Sequence, residues 1–306
     1  MDKIRMATKS VDSIEETFGR FPGHRRAHAR GKTFRGIFTG SGAAAEWTKA
    51  AHFKRGEVAA SIRFSHFSPD PTWADAMSPV KGMAVQLGGN GEEELNIVGV
   101  TSPVFFASTP ETFVEILEVT RSVSKGRPNL HTLMALLKDF PESRAMLEAV
   151  KKFQAPAGFS AGLYHSIHAY YFVGEGKRQP IKYVWEPVDG VKGLSAMELA
   201  SLPIGFYEVQ IEDRLAVSPV RFRLLVILGE PDDPTDDPTK EWPSDRKTAV
   251  LGELTILKED PAVDALLFDP TVVAAGIECS EDPVLRFRSP AYRASFERRS
   301  AEIGEQ

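Results

Sequence analysis

Hydrophobic and polar positions alternate with period two over two successive N-terminal segments, and this predicts paired β-strands. In GKTFRGIFT, Phe34, Gly36 and Phe38 fall on one face, and Arg35, Ile37 and Thr39 on the other. In EVAASIRFSHF, Val58, Ala60, Ile62 and Phe64 point one way, and Ala59, Ser61, Arg63 and Ser65 the other. That polar set either lines a site or faces water, and the pattern alone leaves both open. KGMAVQL and LNIVGV flank the turn GGNGE and read as a hairpin. Residues 164–187 read as an aromatic-rich hairpin with the charged turn GEGKR, which lacks the spacing of a phosphate loop. Further strands are expected at 206–213, 221–229 and 249–257. The proline-rich acidic stretch EPDDPTDDPTKEWP between the last two reads as a solvated loop.

Helical spacing appears in fewer places. Residues 1–20 read as a polar helix with Ile14 and Phe18 four apart. Thr109 as N-cap and Pro110 at the first helical position open a second helix, with Phe113, Ile116, Leu117 and Thr120 as its inner stripe. Two more helical segments are expected at 130–139 and 142–153, divided by Pro141. No repeat at a solenoid period is visible.

Composition narrows the class without naming a chemistry. The chain of 306 residues has room for one large domain or two modest ones. A net charge of −5 argues against a dedicated nucleic-acid or anionic-membrane binder. The single cysteine, Cys279, excludes an internal disulfide framework and fits a reducing compartment. No apolar run is long enough to span a bilayer, and MDKIRMATKS carries no apolar leader segment. The expectation is a cytoplasmic protein.

Candidate chemistry sits at the two ends. His28 lies among Arg25, Arg26 and Arg30, and nearby cations disfavour its protonated form. A neutral imidazole there is a good proton acceptor, although a basic turn before a strand is also a common solvated edge. His165 and His168 are three apart, which in a strand places them on opposite faces and argues against a metal pair. Near the C-terminus Arg288 precedes Tyr292 by four residues, and Arg299 follows by seven. A basic amphipathic helix with a chance tyrosine has the same spacing. Pro290 suggests a helix beginning near Tyr292, with Arg288 just outside it.

Taken together these segments resemble the haem catalase family, in order, over roughly residues 20 to 299. Arg25, His28, Ala29 and Gly31 look like its R-x-x-H-A-x-G segment, and Ile62-Arg63-Phe64-Ser65 like its V-R-F-S. SPVKGMAVQL, LNIVGVTSPVFF, PTKEWP and the C-terminal FDP…Arg288…Tyr292 follow suit. The resemblance implies an α+β fold: an eight-stranded antiparallel β-barrel with helices outside it, in a single domain over 1–306 with the first twenty or so residues as a helical extension. It implies haem b as cofactor, with Tyr292 as the iron ligand, as tyrosine is in catalases generally. An arginine one helical turn earlier favours the phenolate form needed for Fe(III). His28 becomes the distal acid–base residue, Ser65 its partner and Arg288 the support of the ligand. Arg25, Arg63 and Arg299 meet the propionates, Phe113 packs on the porphyrin, and His168 could line the site.

One departure stands out. Val100 occupies the place of the family's catalytic asparagine, and the following Thr101 faces the other way in a regular strand. The chain is also short for a catalase and resembles the minimal, catalase-related peroxidase branch. The implied activity is peroxidase turnover of hydrogen peroxide or organic hydroperoxides with a small organic donor, and weak dismutation. Partners are then peroxide and that donor, with a homodimer by analogy. Two alternatives stay open: a haem lyase or isomerase of fatty-acid hydroperoxides, and a non-catalytic barrel that binds haem or lipid.

Overall fold

A computed structural model of the chain describes residues 3–89, 91–124, 134, 138–140 and 154–304. The helices expected at 130–139 and 142–153 lie largely or wholly outside those residues. Within them the chain forms β1 (Gly31–Gly40), β2 (Gly56–His66), β3 (Lys81–Gly89) and β4 (Glu92–Val100), an antiparallel meander. After a short β5 (Ala155–Pro156) come β6 (Tyr164–His165), β7 (Tyr170–Gly174), β8 (Lys177–Pro187) and β9 (Gly193–Leu194). The chain ends its strands with β10 (Val220–Leu228), β11 (Thr248–Glu259) and β12 (Ile277–Cys279).

Pairing runs β1-β2-β3-β4-β6-β8-β10-β11 and returns to β1, closing an eight-stranded antiparallel barrel. Closure leaves no free edge in those eight strands. β7 and β12 extend outward from β8, and β5 pairs with β9 apart from the barrel. The period-two faces explain the filling. Phe34, Phe38, Ile62, Phe64, Phe222 and Leu254 are fully buried inside, each contributing about 1.5–3 kcal/mol on burial. Phe64 stacks on Phe159 at 5.4 Å. The interior is therefore packed, and a sizeable ligand must sit on the outside of the barrel. The polar set of β2 does not face water: Ser61, Arg63 and Ser65 are all buried.

Helices α1 (Lys3–Phe18), α2 (Pro110–Ser124), α3 (Ala196–Ala200), α4 (Phe206–Val217) and α5 (Pro283–Gly304) lie outside. α1 packs against both α2 and α5. Three expectations need correction. Residues 206–213 are helical, in α4, and not a strand. Their alternation coexists with an i, i+4 pair, Tyr207 and Ile211, both fully buried. The side chain of Asp75, remote in sequence, accepts the Gly205 and Tyr207 N–H groups at the helix start. Second, α5 runs through Pro290, so Arg288 and Tyr292 share one helix. Asp282 caps that helix through the Val284 and Leu285 N–H groups, with Pro283 following it, and this early start outweighs one missing backbone donor. Third, the loop at 230–243 is partly inside: Thr239 and Trp242 are buried, and the Pro238 carbonyl accepts from Phe105 N–H at 2.8 Å.

Candidate functional site

His28 ends the loop that enters β1. Its φ of 55° is left-handed, uncommon for a residue with a side chain. The surroundings hold it there. Arg63 Nη2 donates to the His28 carbonyl at 2.9 Å, and the flanking Ala29 N–H donates to Ser68 O at 3.0 Å. His28 Nδ1 and Ser65 Oγ are 2.9 Å apart, and Phe67 meets the ring edge-on at 5.2 Å. Burial, then Arg63, Arg288, Arg25 and His66, push the imidazole pKa down to about 3. The ring is neutral at ordinary pH, as its cationic neighbours predict.

Barrel register places the rest of this face. Gly31 pairs with Ser65, Ser65 with Gly82, Gly82 with Val100 and Val100 with His165. Residues directly opposite in antiparallel strands share a face, so Ser65, Gly82 and Val100 form one row. Gly82 lies under the His28 ring, and Val100 is the next member. Thr101 has left the row: its hydroxyl accepts the Lys81 N–H at 3.0 Å, and its own N–H donates to Lys81 O at 2.9 Å. Phe67, Phe105, Phe106 and Phe113 pack with Val100 into an apolar wall, with Phe105 and Phe113 stacked at 6.2 Å.

Arg25, Arg63 and Arg299 converge from three elements on Asp264, in the short turn after β11. Asp264 Oδ1 accepts from Arg25 Nη1 at 3.0 Å and Arg63 Nε at 3.1 Å, and Oδ2 accepts from Arg299 Nη1 at 3.0 Å. The carboxyl lies below its ordinary range because these guanidiniums outweigh its burial. Burial lowers all three arginines, and mutual repulsion adds to that for Arg25 and Arg63.

α5 brings the C-terminal residues to the same place. Arg288 lies 5.8 Å from the centroid of the Tyr292 ring and 5.8 Å from that of Phe105. Arg299 of the same helix shares Asp264 with Arg25 and Arg63, and Arg63 also holds the His28 carbonyl, so α5 and the His28 loop border one clamp. The helix end is anchored to the His28 loop: Glu302 pairs with buried Arg26 and with Arg20, and accepts Gly23 N–H at 2.9 Å. At the helix start Asp282 also takes His168 Nδ1 at 2.6 Å. His168 lies between β6 and β7 and not in a strand, and its buried Nε2 has no partner. Burial pushes its pKa to about 4, against the pull of Asp282.

Among the described residues a different trio, His66, Asp75 and Glu208, has ligand atoms within 4.8 Å of one another. Arg30 and Lys81 already occupy those atoms: Arg30 Nε is 3.2 Å from Glu208, Arg30 also meets Asp75, and Lys81 Nζ is 3.0 Å from His66 Nδ1. The trio is a charge network, not an open metal site.

Sequence reading gave no role to Asp264, Gly82 or Asp282. Asp264 carries no local signal, since its partners are 35 to 239 residues away. Gly82 was detectable as a glycine inside an alternating strand. Asp282 was detectable as a Ser-Glu-Asp-Pro helix start.

The helix of Tyr292 and the loop of His28 thus meet at an arginine clamp beside an apolar aromatic wall. Arg299 Nε is buried without a partner, and three guanidiniums share one carboxylate. Such a donor set fits a flat, apolar iron macrocycle with acidic side chains. The fold class is that of the solved catalases. A fungal catalase structure superposes with a TM-score of 0.80 at 19% identity over 92% of this chain and 59% of that one. Catalase A from Saccharomyces cerevisiae gives 0.80 at 19% over 94% and 64%. This chain therefore spans about three fifths of their length. A family model for Catalase matches residues 16–213. Catalase-related peroxidases from Synechococcus elongatus and Mycolicibacterium paratuberculosis are 30% and 32% identical, each over 95% of this chain, and over 87% and 94% of their own lengths. The chain belongs to the catalase family.

Proposed function

We propose that the protein is a haem b peroxidase that reduces hydrogen peroxide or organic hydroperoxides at the expense of a small organic donor. The observation that carries this reading is that α5, which bears Arg288, Tyr292 and Arg299, and the β1 loop, which bears Arg25 and His28, meet at one arginine clamp on Asp264. The family and the two catalase-related peroxidases support it. A bound haem would supply the redox chemistry, giving the two electrons that O–O cleavage consumes and regaining them from the organic donor, and Tyr292 would hold its iron.

The chain's own residues do the rest. Arg288, one turn before Tyr292, favours the phenolate over the phenol. Arg25, Arg63 and Arg299 neutralise the propionates, and Phe113 and its aromatic neighbours cover the porphyrin face. With His28 Nδ1–H donated to Ser65 Oγ, the Nε2 lone pair would accept a proton from one peroxide oxygen and return it to the other, which leaves as water when the O–O bond breaks. The lowered pKa keeps that lone pair free. Val100 offers no hydrogen bond to a second peroxide, so donor oxidation outruns dismutation. The described residues contain no helix long and apolar enough to cross a membrane. A cytoplasmic location and a homodimer are the companion proposals.

Peroxide consumption by the hemin-loaded protein, followed with and without an organic donor alongside an oxygen electrode, tests the reading. Donor oxidation should exceed oxygen release, and His28→Ala should slow both by about 10²–10⁴-fold. Vigorous oxygen release without donor contradicts the ranking of the two activities. Peroxide consumption unchanged in His28→Ala contradicts the role of the imidazole.

A further inference from the structure

Three guanidiniums against one carboxylate leave two positive charges uncompensated in a single hydrogen-bonded group. Arg63 and Arg299 are nearly fully buried there, while the Asp264 side chain is half exposed. Buried cations need counter-charge. The arginines do not depend on the Asp264 carboxylate alone for position. Arg25 also donates to the backbone carbonyls of Asp264 and Leu266, Arg299 to that of Asp264, and Arg63 to that of His28. A change of charge at Asp264 therefore leaves the clamp standing.

We propose that Asp264 tempers the grip of this clamp on a porphyrin bearing two acid groups: it offsets one of three guanidinium charges, and it competes with those acids for the same N–H donors. Two propionates carry two negative charges, which brings the group to neutrality. The inference rests on the haem reading above, and it adds a residue and a direction to it. Removing the Asp264 charge leaves more donors for the propionates, so a diacid porphyrin is held more tightly. A porphyrin with both acids esterified gains nothing.

The test is release of hemin, and of hemin dimethyl ester, from the loaded protein to excess apomyoglobin, followed by absorbance. Asp264→Asn should slow hemin release by about tenfold, the worth of one charge-assisted hydrogen bond. Release of the ester should stay within about twofold of wild type, a smaller change than one hydrogen bond produces. Asp264→Glu should behave as wild type. Melting of the cofactor-free protein in malonate is an independent readout: the dianion should raise the melting temperature of Asp264→Asn more than that of wild type. Unchanged or faster hemin release from Asp264→Asn, an equal shift for the ester, or equal malonate effects would overturn the inference alone. Failure of the wild type to take up either porphyrin would overturn the haem reading, and this inference with it.

Discussion

Gly82 lies beneath the His28 ring, and a Cβ built there stands 2.8 Å from His28 Cε1 and Nδ1 and from Ser65 Oγ. No rotamer of alanine relieves that contact, so in Gly82→Ala the ring must move. The variant should lose about 1–3 kcal/mol of stability through overpacking, and misplacement of His28 should slow its reaction with peroxide by roughly 10²-fold. Calorimetry and stopped-flow mixing check the two effects separately. Its neighbour in the row gives the opposite kind of variant. Val100→Asn places a donor beside Gly82, and oxygen release relative to donor oxidation should rise by about tenfold, the low end of what one aimed hydrogen bond supplies in a site. An unchanged ratio in the oxygen electrode would mean that residue 100 does not reach the peroxide. At this scale a candidate residue is legible in the sequence where a motif of the resembled family covers it. His28, Arg63, Tyr292 and the valine at position 100 all fall within such motifs. Asp264 does not, because an aspartate in a surface turn is ordinary until three distant arginines are brought to it.

At the scale of elements, α5 carries the phenol side of the site and β1 with its loop the imidazole side, and ion pairs hold them in register. Arg26 and Glu302 are both nearly fully buried, and removal of one member of such a pair leaves the other charge without compensation. Glu302→Ala should therefore cost about 3–5 kcal/mol in urea unfolding. It should also speed the loss of bound hemin, since the clamp draws on both elements. Stability within about 0.5 kcal/mol of wild type, as at an ordinary surface position, would show that the helix end does not position the site. The barrel strands were legible because half of each strand packs into an apolar interior, which imposes period two. α4 was not, because Phe206 to Asp213 satisfies periods of 2 and 3.6 alike, and the deciding cap, Asp75, comes from another part of the chain. Pro290 misled for a related reason: a local penalty was weighed without the Asp282 cap eight residues earlier.

For the whole molecule, acid is the revealing perturbation. His28 titrates near 3, His165 and His168 near 4, and His66 below its ordinary value, each chiefly through burial. The folded protein therefore binds these protons more weakly than the unfolded chain, where histidine titrates near ~6.5. The unfolded chain takes them up first. The histidines' share of the stability is fully present above about pH 6.5 and is lost as pH falls towards about 4 to 3. Glu302 is held near 2 by Arg26, and Glu15 and Asp264 lie below their usual range; they add to the loss below about pH 4.5. Melting temperatures should thus decline steadily as pH falls below 6.5. A flat profile down to pH 5 would contradict neutral, buried histidines.

The most direct single measurement is the absorption spectrum of the hemin-loaded protein, wild type against Tyr292→Phe. The wild type should show a ferric haem with a phenolate-to-iron charge-transfer band, and Tyr292→Phe should lose that band while its far-ultraviolet dichroism stays the same. A wild-type protein that stays colourless with hemin, or a spectrum identical in the two proteins, would contradict an iron porphyrin held by the tyrosine of α5.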